Sequence, residues 1–347
     1  MNPFSIDRGL KQEMLTAALQ ELSLHHYTHC TSYQRIVDSW GISGDGLSNS
    51  PIDQLPFLPA SLFKSLDLLS IGTEDIHKTL YSSGTTSTKS KIILDKHTAQ
   101  LQQKAMIKIV QSFTGLQRSP MLVLSSKPHI ITDGTYSSQN TLLTGFAPFA
   151  SASCYAFDQQ HQPDLDAIEK FRVKHQQTPG FIIGLTADVW QSLVMNLKKS
   201  DITLDFKDWI LIHGGGWKKL THQSVTRQHF REQIKRFLSI DRVYDFYGMI
   251  EQTGNLFIEC EHGYFHASIF GDIRIRNAYD FSINSPGQSG IVQVLSVLPH
   301  SYCGHSLLTG DLGTLYGEDD CPCGRKGKYF RIEGRLHNVE MKGCSNV

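Results

Sequence analysis

Residues 81–91 read Tyr81-Ser82-Ser83-Gly84-Thr85-Thr86-Ser87-Thr88-Lys89-Ser90-Lys91, a run of hydroxyls with one glycine and two lysines set before the apolar Ile92-Ile93-Leu94. Hydroxyl and backbone N–H donors beside a lysine charge suit an anion, and glycine lets the backbone approach it closely. A solvated Ser/Thr loop has the same composition. The G-x-x-x-x-G-K-[ST] spacing of a P-loop is absent. Four glycine-bearing clusters follow. His213-Gly214-Gly215-Gly216-Trp217 offers bare backbone to a flat ring, or is a plain strand-to-helix turn. Tyr247-Gly248-Met249-Ile250-Glu251 places a carboxylate that could hold Mg²⁺ beside phosphates, or a Glu that favours a helix start. Thr309-Gly310-Asp311 sets an acceptor for ribose hydroxyls in a glycine turn, or an Asx turn. Gly334-Arg335 supplies a cation for phosphate or ribose, or a surface pair with Glu333.

Sulfur chemistry falls in two places. Cys321-Pro322-Cys323-Gly324 is a C-x-C turn, better suited to metal than to a strained local disulfide. Cys260 and His266 complete a Cys₃His zinc set, with His262 as a competing ligand and two buried thiols as the plain alternative. Cys344 stands alone in Lys342-Gly343-Cys344-Ser345 near the terminus, a reactive thiol if Gly343 adds flexibility and Lys342 favours the thiolate, or else an incidental tail cysteine.

The order of these clusters resembles the adenylate-forming superfamily: hydroxyl loop, glycine-rich strand end, Y-G-x-x-E, T-G-D, then G-R. In the hydroxyl loop Ser82, Ser83, Gly84, Thr85 and Thr86 match, Ser87 replaces a glycine, and Lys91 comes slightly late. Stretches 58–64, 213–219, 245–254, 299–302, 317–330 and 343–345 narrow the resemblance to the acyl-protein synthetases of the bacterial luminescence fatty acid reductase complex. The resemblance implies ATP and Mg²⁺ as cofactors. Ser82 to Thr86, Gly214, Gly215, Gly216, Tyr247, Gly248, Asp311 and Arg335 would bind nucleotide, with Glu251 on magnesium. It implies a fatty or related carboxylic acid as substrate, Cys344 as acyl acceptor and an acyl reductase as partner. The chain stops at Val347, so the large C-terminal lid of bigger relatives is expected to be absent. Lys91 or Lys342 then stands in for its catalytic lysine. Two alternatives remain open: an acyl-CoA ligase resembling phenylacetate–CoA ligases, and a catalytically silent scaffold for a reductase.

Positioning these groups requires strands that end together. Short apolar runs at 120–125, 181–185, 209–213 and 242–247 alternate with helical periodicity at 97–113, 164–175, 187–197 and 221–237. That alternation predicts an α/β core with a mostly parallel sheet flanked by helices, with ligands at the carboxyl ends of its strands. Residues 1–255 form this core with a helical N-terminal segment, 256–335 a smaller, mainly β subdomain, and 336–347 a tail carrying Cys344. The 33 basic residues balance 33 acidic ones, which argues against nucleic acid as partner. No apolar run reaches the ~20 residues of a membrane span, and the N-terminus lacks a signal peptide's apolar core. With no secretory signal, the seven cysteines read as thiols or metal ligands in a cytoplasmic protein.

Overall fold

In the computed structural model, the described residues are 2–82, 89–127, 145–217 and 224–336. Among the described residues, 3–71 fold with 262–336 as one unit, and those within 72–261 form a second. The sequence reading had put the N-terminal helices with the central core. Their apolar face goes elsewhere: Leu15 and Leu19 of the helix Arg8–His29 pack with Ile52, Leu55 and Leu295. Asp7 caps this helix by accepting from the Leu10 N–H at 3.2 Å. A short strand, β1 (Leu58–Pro59), follows.

The second unit begins with a hairpin, β2 (Lys78–Tyr81) and β3 (Lys91–Leu94). Next come β4 (Ser119–Ser126), β5 (Ala150–Phe157), β6 (Phe181–Leu185), β7 (Ile210–Gly214), β8 (Arg242–Tyr247) and β9 (Phe257–Glu259). They lie in the order β5-β4-β6-β7-β8-β9, parallel throughout except that β9 runs antiparallel to β8. Every residue of β6 and β7 is buried, as expected of parallel strands flanked by helices. Leu122, Ile182, Leu211 and Val243 from four of the strands pack with Trp190, Leu193, Phe230 and Ile234 from the helical segments. The expected helices at 97–113 and 164–175 are present as Lys96–Thr114 and Leu165–Lys174. The third opens as a π-helical stretch, Asp188–Val194, before Met195–Ser200. The fourth is Arg227–Leu238.

The first unit continues with β10 (Phe265–His266), β11 (Gly271–Arg276), β12 (Ser289–Ser296), β13 (Ser306–Glu318) and β14 (Lys328–Arg335). Their order is β11-β12-β13-β14-β10, all antiparallel, with β1 parallel to β13. Between β10 and β11 the chain turns at Ser268: its carbonyl accepts from Gly271 N–H at 3.3 Å and its hydroxyl from Phe270 N–H at 3.2 Å. Among the described residues no helix is long and apolar enough to cross a membrane.

One buried carboxylate ties three elements of this unit together. Asp272 on β11 is contacted by Lys328 of β14 at 2.9 Å, by Arg274, and by Lys11 of the first helix at 3.8 Å. Burial alone would raise the Asp272 pKa, but these cations hold it well below the ordinary carboxylate range. Removing a buried partner leaves uncompensated charge, at about 3–5 kcal/mol. Asp272→Asn is therefore expected to lower unfolding free energy by about that amount in urea titrations. An unchanged midpoint would show that the cations find water instead.

Candidate functional site

Strands β6, β7 and β8 run in register, so their carboxyl ends arrive together: Leu185 lies opposite Gly214, and Gly214 opposite Phe246. The three glycines of the expected cluster serve different physical needs. A Cβ at Gly214 would sit 2.6 Å from the Phe246 ring, so that position is bare to seat an aromatic neighbour. Gly215 and Gly216 have φ of 78° and 59°, the left-handed region in which a side chain is strained. Trp217 then packs edge-on against Trp190 and Phe230, at centroid separations of 5.9 and 6.3 Å.

Two groups that the sequence reading passed over belong to this edge. Thr186, just after β6, shares a 3.0 Å hydrogen bond with Nδ1 of His213 and donates to the Gly214 carbonyl at 3.2 Å. With the hydroxyl proton so used, His213 Nδ1–H is the donor to Thr186. Asp245 on β8 stands 3.5 Å from the same Nδ1. Burial, with Arg231 and Arg227 nearby, lowers the His213 pKa to about 3, so the ring is neutral. Burial, then the Glu259 carboxylate, raises Asp245 well above its ordinary range. The contact is thus between a neutral imidazole and a carboxyl group that resists ionisation. Behind it Glu259 takes Arg227 at 2.6 Å and Arg231 at 3.1 Å, fastening the helix Arg227–Leu238 to β9.

Tyr247 ends β8 and Gly248 follows, where a Cβ would lie 2.9 Å from Leu256. Glu251 sits buried as the second residue of the 3₁₀ turn Ile250–Gln252. Gly254 closes this segment at φ 87°, where a Cβ would lie 2.5 Å from the Gln102 carbonyl oxygen. Ser82 and Lys91 flank the tip of the β2–β3 hairpin. Ser82 and Ser90 close it, the Ser82 N–H donating to the Ser90 carbonyl at 3.0 Å and the Ser90 N–H to the Ser82 hydroxyl at 2.9 Å. Lys91 stands opposite Tyr81. Ser83, Gly84, Thr85 and Thr86 lie outside the described residues, as do Lys342 and Cys344.

In the first unit, Thr309-Gly310-Asp311 is not a turn between elements but lies within β13. The register against β12 shifts there, with Leu312 opposite Ile291 and Leu308 opposite Gln293, so these residues bulge from the ladder. The Thr309 hydroxyl donates to the Val292 carbonyl at 2.8 Å and accepts from Asp311 N–H at 3.1 Å. Asp311 lies opposite Arg335 on β14, with their side chains 3.3 Å apart, so the T-G-D and G-R residues are brought together. Arg335 is 89% exposed, so this pair adds little stability. Glu333, the alternative partner, accepts instead from Ser289 and Thr314. Of the expected metal ligands, His266, Cys321 and Cys323 lie in the first unit, with Sγ of Cys323 3.4 Å from Nε2 of His266, whereas Cys260 falls in the second.

A parallel sheet ending in a glycine-rich edge, followed by an antiparallel sheet with T-G-D and G-R on adjoining strands, is the fold of adenylate-forming ligases. 2-Hydroxyisobutyryl-CoA ligase in the postadenylation state shares it at a TM-score of 0.73 and 15% identity, over 96% of this chain and 70% of that one. ATP-bound MatB of Rhodopseudomonas palustris matches at 0.50 and 16%, over 77% of this chain and 49% of its own. The chain belongs to the LuxE acyl-protein synthetase family, whose family profile matches residues 1–347. The long-chain-fatty-acid–luciferin-component ligase of Aliivibrio fischeri is 22% identical, across 96% of this chain and 88% of the relative. That of Vibrio harveyi is 21% identical, across 96% and 87%. The protein is therefore an acyl-protein synthetase type of ligase.

The Gly214–Phe246 contact makes a prediction. Gly214→Ala forces the ring aside at about 1–3 kcal/mol, and adding Phe246→Leu should recover part of that loss. Additive effects in denaturant titrations of the single and double variants would reject the contact.

Proposed function

We propose that this chain converts a long-chain fatty or related carboxylic acid and ATP into acyl-adenylate and pyrophosphate. The acyl group then passes to Cys344 as a thioester and on to a reductase partner. One observation carries the reading: the glycine-bearing clusters stand in adenylate-forming order in a chain matched over its length by the acyl-protein synthetase family. The names of the relatives support a long-chain fatty acid as substrate.

The roles follow from chemistry. Nucleotidyl transfer needs positioning and charge neutralisation more than a protein nucleophile. Ser82 to Thr86 and Lys91 hold the phosphates, while Gly214, packed on Phe246, sets the strand end from which the backbone of Gly215 and Gly216 accepts the adenine face. Tyr247 and Gly248 border the acyl and adenylate pocket, Asp311 accepts from the ribose hydroxyls, and Arg335 neutralises phosphate or ribose oxygens. Glu251 fits Mg²⁺ as a carboxylate in a segment held close to Gln102, and the ion would supply charge neutralisation on phosphate oxygens. Neutral His213, with Nδ1–H committed to Thr186, holds the strand end in place without adding charge.

Acid-dependent ATP–pyrophosphate exchange tests the first half. Asp311→Ala should weaken exchange by about 1–3 kcal/mol, roughly five- to 150-fold. Glu251→Gln should lower it and shift its magnesium dependence. Unaltered exchange and an unaltered magnesium titration would reject both assignments. Absence of exchange in the native protein would favour the silent scaffold.

The second half rests on the acceptor. Cys344→Ser should keep the exchange yet lose hydroxylamine-sensitive labelling by radioactive acid. Labelling of native protein should rise with pH, because the thiolate is the attacking form. Persistent thioester labelling in the serine variant places the acyl group on another thiol. Pyrophosphate release that requires coenzyme A makes the chain an acyl-CoA ligase.

A further inference from the structure

Thr186 belongs to none of the sequence motifs, yet its hydroxyl is engaged twice. The residue is buried, and a buried hydroxyl needs partners. Its single proton goes to the Gly214 carbonyl at 3.2 Å, and its lone pair accepts from Nδ1–H of His213 at 3.0 Å. We propose that Thr186 is a positioning residue, whose hydroxyl fixes the peptide plane from which Gly215 and Gly216 leave the sheet and so presets their backbone for the nucleotide. This role rests on the adenylation proposed above, and it is exercised through the glycine backbone rather than by contact with the nucleotide.

The need for such an anchor comes from the glycines. Strand pairing stops at Leu185 opposite Gly214 and Gly214 opposite Phe246. Beyond it Gly215 and Gly216 take φ of 78° and 59°. Glycine has wide conformational freedom, so three in succession can leave a sheet in many directions. A peptide unit is planar, so holding the Gly214 carbonyl also orients the bond that leads into Gly215. Gly214 is thereby gripped twice: by the Thr186 hydroxyl at its carbonyl, and by the Phe246 ring, 2.6 Å from where a Cβ would lie. A backbone ordered before the ligand arrives spares binding the entropy of ordering it.

His213 aims the hydroxyl. A threonine O–H rotates to suit its surroundings unless its oxygen is also engaged. Nδ1–H of His213 engages it, which leaves the threonine proton directed at the carbonyl. The imidazole is itself braced against the Phe230 ring, with centroids 4.7 Å apart. Asp245 Oδ1, 3.5 Å from the same nitrogen, is the longer alternative partner. Burial, with Arg231 and Arg227 nearby, keeps the ring neutral, so the anchor brings no charge to the strand end.

Acid-dependent ATP–pyrophosphate exchange by the full chain, with KM for ATP and for the acid measured separately, tests the role. Thr186→Val keeps the shape and removes both hydrogen bonds. It should raise the KM for ATP roughly two- to tenfold, with a smaller change in the KM for the acid. Thr186→Ser should restore the native value. His213→Leu should add little to Thr186→Val, because the two residues act as a unit. Equilibrium dialysis with labelled ATP should rank the variants in the same order. If Thr186→Val does not fold, the comparison passes to Thr186→Ala, for which the same rise is expected. An unchanged KM for ATP, or a serine variant as impaired as valine, overturns the assignment. So does an equal rise in both KM values with a lowered melting temperature, the mark of a merely structural role. Those results in a native protein that exchanges reject the positioning role alone. A native protein that neither exchanges nor binds ATP rejects the adenylation reading, and this role with it.

Discussion

A parallel strand buried on all sides has no room for a charged side chain, and the second unit obeys that constraint. Every residue of β6 and β7 is buried, and their hydrogen-bonding groups are used by neighbouring strands. Chemistry is therefore displaced to where the strands stop. Thr186, His213 and Asp245 stand at or next to three successive strand ends because in-register pairing makes those ends coincide. Even there, burial sets the terms. His213 is kept neutral and Asp245 resists ionisation, so this edge presents hydrogen-bonding groups with little fixed charge.

The first unit solves burial differently. Rather than expel charge, it encloses Asp272 with Lys328, Arg274 and Lys11, and Arg274 reaches Asp53 as well. Such clusters are costly to desolvate, but they admit few geometries and so fix which strand faces which helix. In the same unit, His26 is held between the Ser70 hydroxyl and the Pro299 carbonyl, at 2.8 and 3.1 Å. Burial and the adjacent His305 push its pKa well down. The N-terminal helix is thus joined to the C-terminal sheet by polar contacts of long sequence separation as well as by Leu15 and Leu19.

That explains which parts of the molecule were legible in the sequence. The apolar runs at 181–185 and 209–213 announce β6 and β7 because strands buried on all sides need no alternation. β5 carries small and polar residues, Ala150-Ser151-Ala152-Ser153, and gave no such signal. The joining of residues 3–71 to the C-terminal strands depends on Lys11 and His26, whose partners lie hundreds of positions away, and local periodicity cannot register that. Asp311 was recognised by its neighbours Thr309 and Gly310, yet was read as part of a turn. Glycine and threonine signal irregular backbone without saying whether a strand continues beyond it. Thr186 and Asp245 were missed because a lone threonine and a lone aspartate beside apolar runs carry no pattern. The Cys321-Pro322-Cys323 turn was conspicuous because a C-x-C spacing is unusual.

The irregularity at Thr309 to Asp311 has a consequence for how this part of the chain can vary. Along a regular strand, side chains alternate between the two faces, and one inserted or deleted residue exchanges the faces for everything beyond it. A bulge is a place where that phase is reset. Here the reset falls just ahead of Gly313, where the Arg331 carbonyl of β14 lies 2.6 Å from where a Cβ would be. Losing a single residue from the bulge would not merely trim a loop. It would slide a different side chain into that narrow contact and turn the carboxylate now opposite Arg335 toward the other side of the sheet. The length of this three-residue segment is thus under tighter constraint than its composition, and insertions elsewhere on the surface should be tolerated long before one here.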